Sequence, residues 1–176
     1  RIIDIPRYTE LNNAHTTCTM LGIRQRDAGI LQINGDAVFD PAIVVAARES
    51  VRDCPPDEAR VFVVQGALGE EEMKVHVDQK RVVSLLKSTD PATAVGEAFG
   101  ISYFGPGFVE RLMPALATVI AHNPQSYFED GINECLSRGA VARALVLPER
   151  TAMEVDFAAD LVAARTLGAQ WKRPSA

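Results

Sequence analysis

Cysteine is scarce and odd in number: Cys18, Cys54 and Cys135 stand far apart, with no Cys-x-x-Cys pair among them. Neither a disulfide framework nor a zinc site fits that spacing, and a reducing cytoplasm is the expected compartment. Histidine is no richer, and His15, His76 and His122 have no metal-ligand spacing. No apolar run nears the roughly 18 residues a membrane span needs, and no basic segment leads into an apolar one as in a secretory signal. Positive charge is not in excess either: 18 Lys and Arg face 23 Asp and Glu, a net charge of −5. Aromatics make up only 6%, with none interleaved among the basic clusters Arg24-Gln25-Arg26 and Lys80-Arg81. That balance argues against nucleic-acid binding, and the clusters read as solvated faces. Repeats, low-complexity tracts and long linkers are absent as well.

What remains is a chain of 176 residues, 47% hydrophobic and 23% charged. That is enough for one domain with a real core, and it excludes a disordered tail. The domain is expected over 1–170, with 171–176 as a frayed tail. Gly29–Gly35, GILQING, reads as a strand buried on both faces. Asp40 and Pro41 then open a helix running to about Arg52. A strand follows at 60–65, and 73–78 with 81–86 alternate around Asp78-Gln79-Lys80 as a hairpin. Further strands are expected at 99–104, 143–147 and 153–155, and helices at 108–122, 127–138 and 157–167, the second ended by Gly139. Strands alternating with helices imply an α/β protein with a mainly parallel sheet, which the hairpin makes mixed.

Ligands in such sheets sit at the carboxyl ends of strands. Asp36 follows the strand ILQIN. Asp156 follows Met153-Glu154-Val155, and strand alternation points Glu154 and Asp156 to the same side. Carboxylates meeting there would make a hard oxygen site suited to Mg²⁺, which keeps its waters and is shared with substrate phosphates. An Asp after a strand also serves as a helix N-cap or a turn residue, so Asp36 and Asp156 each have two readings.

Several motifs, in order along almost the whole chain, carry a resemblance. They are Tyr8-Thr9-Glu10-Leu11-Asn12-Asn13; Ile33-Asn34-Gly35-Asp36 with Val38-Phe39-Asp40-Pro41; Glu71-Glu72-Met73-Lys74-Val75 with Arg81-Val82-Val83; Gly96-Glu97 with Gly100-Ile101; Tyr127-Phe128-Glu129-Asp130; and Met153-Glu154-Val155-Asp156-Phe157. The sequence resembles the nucleotidyltransferases that build nucleoside-diphosphate-linked alcohols and sugars, above all their phosphocholine cytidylyltransferase-like branch.

The resemblance implies a Rossmann-like, three-layer α/β/α fold with an inserted hairpin. It also implies a reaction. The phosphate of a small phosphorylated acceptor attacks the α-phosphorus of a nucleoside triphosphate, CTP foremost, and pyrophosphate leaves. Alignment and charge neutralisation matter more than a strong base. Asp36 and Asp156 become the catalytic pair, holding Mg²⁺ with Glu154. Asn13, Asn34, Gly35 and Lys74 become substrate contacts, with Thr16 beside them. Asn13 and Thr16 read equally as helix caps, and Lys74 as an exposed hairpin lysine. Glu129 and Asp130 would attract a cationic head group such as choline, walled by Tyr127, Phe128, Tyr103 or Phe104. Acids in a first helical turn are favoured in any case.

The family's early glycine-rich turn has no counterpart here, so a first βαβ unit is expected to be missing. The chain begins at Arg1 rather than Met, which favours a start upstream. The alternative is a catalytically incomplete homologue, a binding or assembly module whose exposed sheet edge invites pairing with another copy. A glycosyltransferase of similar architecture ranks last, because Asn34-Gly35-Asp36 offers one acid where an Asp pair is usual.

Overall fold

The computed structural model describes residues 2–25, 27–148 and 151–171. In chain order the elements are α1 (Asn13–Gly22), β1 (Ile30–Ile33), β2 (Ala37–Phe39), α2 (Ala42–Arg52), β3 (Glu58–Val64), β4 (Lys74–Asp78), β5 (Arg81–Leu86), a 3-10 turn (Pro91–Thr93), β6 (Gly96–Phe104), α3 (Pro106–His122), α4 (Phe128–Ser137), β7 (Val141–Leu147), β8 (Ala152–Glu154) and α5 (Ala158–Gly168). Apart from Trp171, the expected tail lies outside the described residues, as does Arg26 of the first basic cluster.

Local chemistry sets the element ends. The Asp40 Oδ1 accepts the Ala42 N–H at 2.8 Å, so the Asp-Pro pair opens α2 as its pattern predicts. Beyond α4, Gly139 takes φ +83°, a left-handed conformation that glycine adopts without Cβ strain. The β4–β5 hairpin turns through Gln79 and Lys80, both left-handed at φ 46° and 70°. Such a turn matches the twist of the strands it joins.

Six strands form the main sheet in the order β1-β6-β3-β7-β5-β4, and β4 also pairs back onto β6. Alternate residues of the central strands serve two cores. Val61, Val63, Ala98 and Phe104 face a layer made by α1, α3 and α4. Phe62, Val64, Phe99 and Ile101 face the opposite side, against Ile43 and Ala47 of α2. Phe62 and Phe99 are fully buried, each contributing roughly 2–3 kcal/mol. The architecture is the expected three-layer α/β/α with a mixed sheet.

Two expectations need correction. The parallel majority does not hold: among the described pairings of this sheet only β3–β7 is parallel. β1 and β3 do run the same way, as the intervening helix requires, but β6 lies between them and is antiparallel to both. Nor is β1 buried on both faces. It is the edge strand, with Leu31 and Ile33 exposed and Gln32 buried beneath α1.

Candidate functional site

A second, two-stranded sheet brings distant acids together. β2 pairs antiparallel with β8, setting Ala37 opposite Glu154. The ladder extends by one bond, in which the Val155 N–H donates to the Asp36 carbonyl at 3.0 Å. Asp36 therefore lies against the segment carrying Glu154 and Asp156. The capping reading of Asp156 falls away. Asp160 performs that task, its Oδ2 accepting the N–H groups of Asp156 and Phe157 at 3.2 and 2.8 Å.

These acids line a cavity of about 690 Å³ between the β2–β8 ribbon, α1, the start of β6 and the first turn of α4. Its walls carry seven carboxylates (Asp36, Glu71, Glu72, Glu97, Glu129, Glu154 and Asp156) and, among the lining residues, one basic side chain, Lys87. Crowding shows in the ionisation. Burial, then the charges of Asp36 and Asp156, push Glu154 up to about 7, while a hydrogen bond from Asn34 works the other way. Burial, then Glu154, raises Glu97 to about 7. Glu129 is fully enclosed, and burial raises it to about 8. Its Oε2 has no hydrogen-bond partner among the described residues. Opposite it, the Lys87 ammonium sits 4.8 Å from the Tyr127 ring centroid and 3.4 Å from the exposed Glu71 carboxylate.

The polar wall is held from behind. Thr17 donates to Gln32 at 3.2 Å in a buried pair, and Gln32 reaches toward Asn34. Asn34 packs on the bare Cα of Gly100, which has φ +81° and where a Cβ would meet the Asn34 side chain at 2.6–2.7 Å. A glycine is required there, and it lets Asn34 reach Glu154. The donor set around Asp36, Glu154 and Asp156 is all hard oxygen, which fits Mg²⁺. Among the described residues no three His, Cys, Asp or Glu side chains are already gathered as a metal cage. Magnesium shared with a ligand's phosphates needs only one or two carboxylates.

No family model and no curated protein match the sequence. Solved structures do match its fold. An inositol-1-phosphate CTP transferase from T. maritima superposes with a TM-score of 0.71 at 15% identity, covering 93% of this chain and 65% of that one. A CTP:phosphocholine cytidylyltransferase from Streptococcus pneumoniae gives 0.70 at 14%, covering 95% and 68%. A CMP:2-keto-3-deoxy-manno-octonic acid synthetase complexed with CTP gives 0.62 at 16%, covering 90% and 68%. The chain shares the fold of these structures. It spans about two thirds of the length of these structures. Among the described residues, no helix is long and apolar enough to cross a membrane.

Within this fold the predicted site residues separate into two groups. Asp36, Glu154, Asp156, Asn13, Asn34, Gly35, Thr16 and Glu129 all line the cavity. Asn13 has a structural task too, its Oδ1 accepting the Phe128 N–H at 2.8 Å. Lys74 and Asp130 do not line it. The Lys74 ammonium is buried and donates to the backbone carbonyls of Glu72 and Lys87 at 3.2 and 2.7 Å, so it is neither the expected phosphate contact on the cavity wall nor the alternative exposed hairpin lysine. Asp130 caps α4, accepting the Tyr127 N–H at 2.8 Å. Of the expected aromatic wall, only Tyr127 lines the cavity. Phe104 stacks on Phe108 in the core, Phe128 is buried beside them, and Tyr103 packs on Gly29 at the far end of β6. Sequence reasoning missed Gln32, Glu97 and Lys87 as site residues. The polar Gln32 inside an apolar strand was the one visible signal.

Proposed function

We propose that this chain is a Mg²⁺-dependent nucleotidyltransferase that moves a nucleotidyl group, CMP from CTP foremost, onto a phosphorylated small alcohol such as phosphocholine or a sugar phosphate. The observation that carries the reading is the β2–β8 pairing, which sets Asp36 beside Glu154 and Asp156 in the wall of the cavity. An acceptor phosphate oxygen forms a bond to the α-phosphorus as the bond to the bridging oxygen breaks, and pyrophosphate carries off the electron pair. Asp36 and Asp156 would hold the metal, with Glu154 behind them. Bound there, Mg²⁺ supplies positive charge to the phosphate oxygens. Lys87 meets a ligand's phosphate, because it is the one basic side chain on the described wall. Asn34 orients Glu154 from the β1 side. Glu129 and Tyr127, an acid beside an aromatic face, suit a cationic acceptor head group.

The test is pyrophosphate release on incubation with CTP, Mg²⁺ and phosphocholine, then with other triphosphates and phosphorylated acceptors. Asp36→Asn and Asp156→Asn are expected to lower the rate by about 10²-fold or more. A folded protein that releases no pyrophosphate with any pair contradicts the reading. The charge balance of the wall favours the second reading, a homologue that binds but does not turn over. Seven carboxylates against one lysine suit cations better than a bare triphosphate. Ligand binding without pyrophosphate release would select it.

A further inference from the structure

Lys74 is the strangest charged residue in the fold. It is 1% exposed, yet among the described residues it forms no salt bridge. Burying an ammonium is unfavourable unless its donors are satisfied. The satisfaction comes from backbone: the Glu72 carbonyl on the approach to β4 and the Lys87 carbonyl just past the end of β5. Lys74 itself pairs with Leu86 in one ladder and with Glu97 in another. The β4–β5 ladder ends at that Lys74–Leu86 pair, so the next residue, Lys87, lies outside it. Its carbonyl is held instead by the Lys74 ammonium at 2.7 Å and by the Thr89 N–H at 3.1 Å. The Lys87 side chain then reaches the cavity over the Tyr127 ring.

We infer that Lys74 is a positioning residue, which from behind the cavity wall fixes the backbone of Lys87 and so aims the Lys87 ammonium at a phosphorylated ligand. The inference rests on the reading of Lys87 as a phosphate contact. Lys74 also ties the Glu71–Glu72 segment to the same point, so one buried side chain joins the two rims that carry opposite charges.

A double-mutant cycle on inorganic pyrophosphate, titrated calorimetrically in Mg²⁺, tests this directly, because coupled residues fail to add. Lys87→Met is expected to weaken binding about tenfold or more through loss of a charged phosphate contact. Lys74→Met should lose a similar factor, although its side chain never touches the ligand. Adding it to Lys87→Met should weaken binding no further, and Lys74→Arg, which keeps donors, should recover most of the affinity. If Lys74→Met does not fold, Lys74→Gln replaces it with an intermediate loss expected. Additive losses, or a Lys74 variant that melts lower yet binds as tightly as the wild type, overturn the inference and leave the proposed function standing. A folded wild type that binds no pyrophosphate overturns both.

Discussion

Glu129 and Asp130 are neighbours in sequence, both acids in the first turn of one helix, and they do opposite things. Asp130 turns back to the Tyr127 N–H and stabilises the helix start, while Glu129 points inward and leaves an oxygen without a partner among the described residues. A buried carboxyl of that kind destabilises the ligand-free protein. Replacing it by an apolar side chain of similar length removes the desolvation penalty, so Glu129→Met should stabilise the free protein by about 1–2 kcal/mol. Chemical denaturation reads that gain, and the same variant should lose affinity for phosphocholine. A less stable Glu129→Met would mean that the carboxyl has a partner in the free state. Which of the two acids faces the cavity depends on the direction of the helix start, a three-dimensional fact that adjacent sequence positions do not encode. Lys74 and Lys87 pose the same problem: both flank a hairpin, and only the end of the ladder separates a buried brace from a side chain on the wall.

At the level of elements, what could be read in advance followed from local rules. α4 stops where Gly139 permits a left-handed turn, α2 starts at Asp40-Pro41, and the hairpin turns at Gln79-Lys80. The strand-end positions of Asp36, Glu154 and Asp156 were legible for the same reason, since alternation and punctuation are short-range signals. β2 was not. It has three residues, too few for a period, and it exists because β8 pairs with it from more than a hundred positions away. Strand direction in the main sheet was hidden likewise, because the place β6 takes between β1 and β3 is a long-range choice. The α3–α4 contact is another such choice. Gly131 lies so close to α3 that a Cβ would stand 2.6 Å from the Leu116 Cδ2. Gly131→Val should therefore destabilise the protein by about 1–3 kcal/mol through overpacking. A thermal melt checks it, and an unchanged melting temperature would show that the helices separate at little expense.

For the whole molecule, the acidic cavity sets the pH dependence of stability. Glu97, Glu129 and Glu154 have ordinary values near 4.5 when unfolded and about 7, 8 and 7 when folded. Between those limits the native state holds more protons than the unfolded chain, so stability falls as pH rises from about 4.5 toward 8. Glu58 acts in the opposite sense at the other end of β3. Its hydrogen bond from Arg143 holds it below the ordinary value, so its contribution is present above about 4.5 and is lost as pH falls further. Melting temperatures taken from pH 5 to 8 without divalent ions should decline, and Mg²⁺ should flatten the decline by neutralising the cavity. A melting temperature that rises over that range contradicts the assignment. The proposed function depends on three acids, Glu154 at the end of β8 with Asp36 just before β2 and Asp156 just past β8, acting together on one ion. Titration with Mn²⁺, which takes the same oxygen ligands and is visible by paramagnetic resonance, addresses that most directly. One ion should bind per wild-type chain, and binding should weaken about tenfold or more in Asp36→Asn and equally in Asp156→Asn. Undiminished Mn²⁺ binding in both variants would contradict the account.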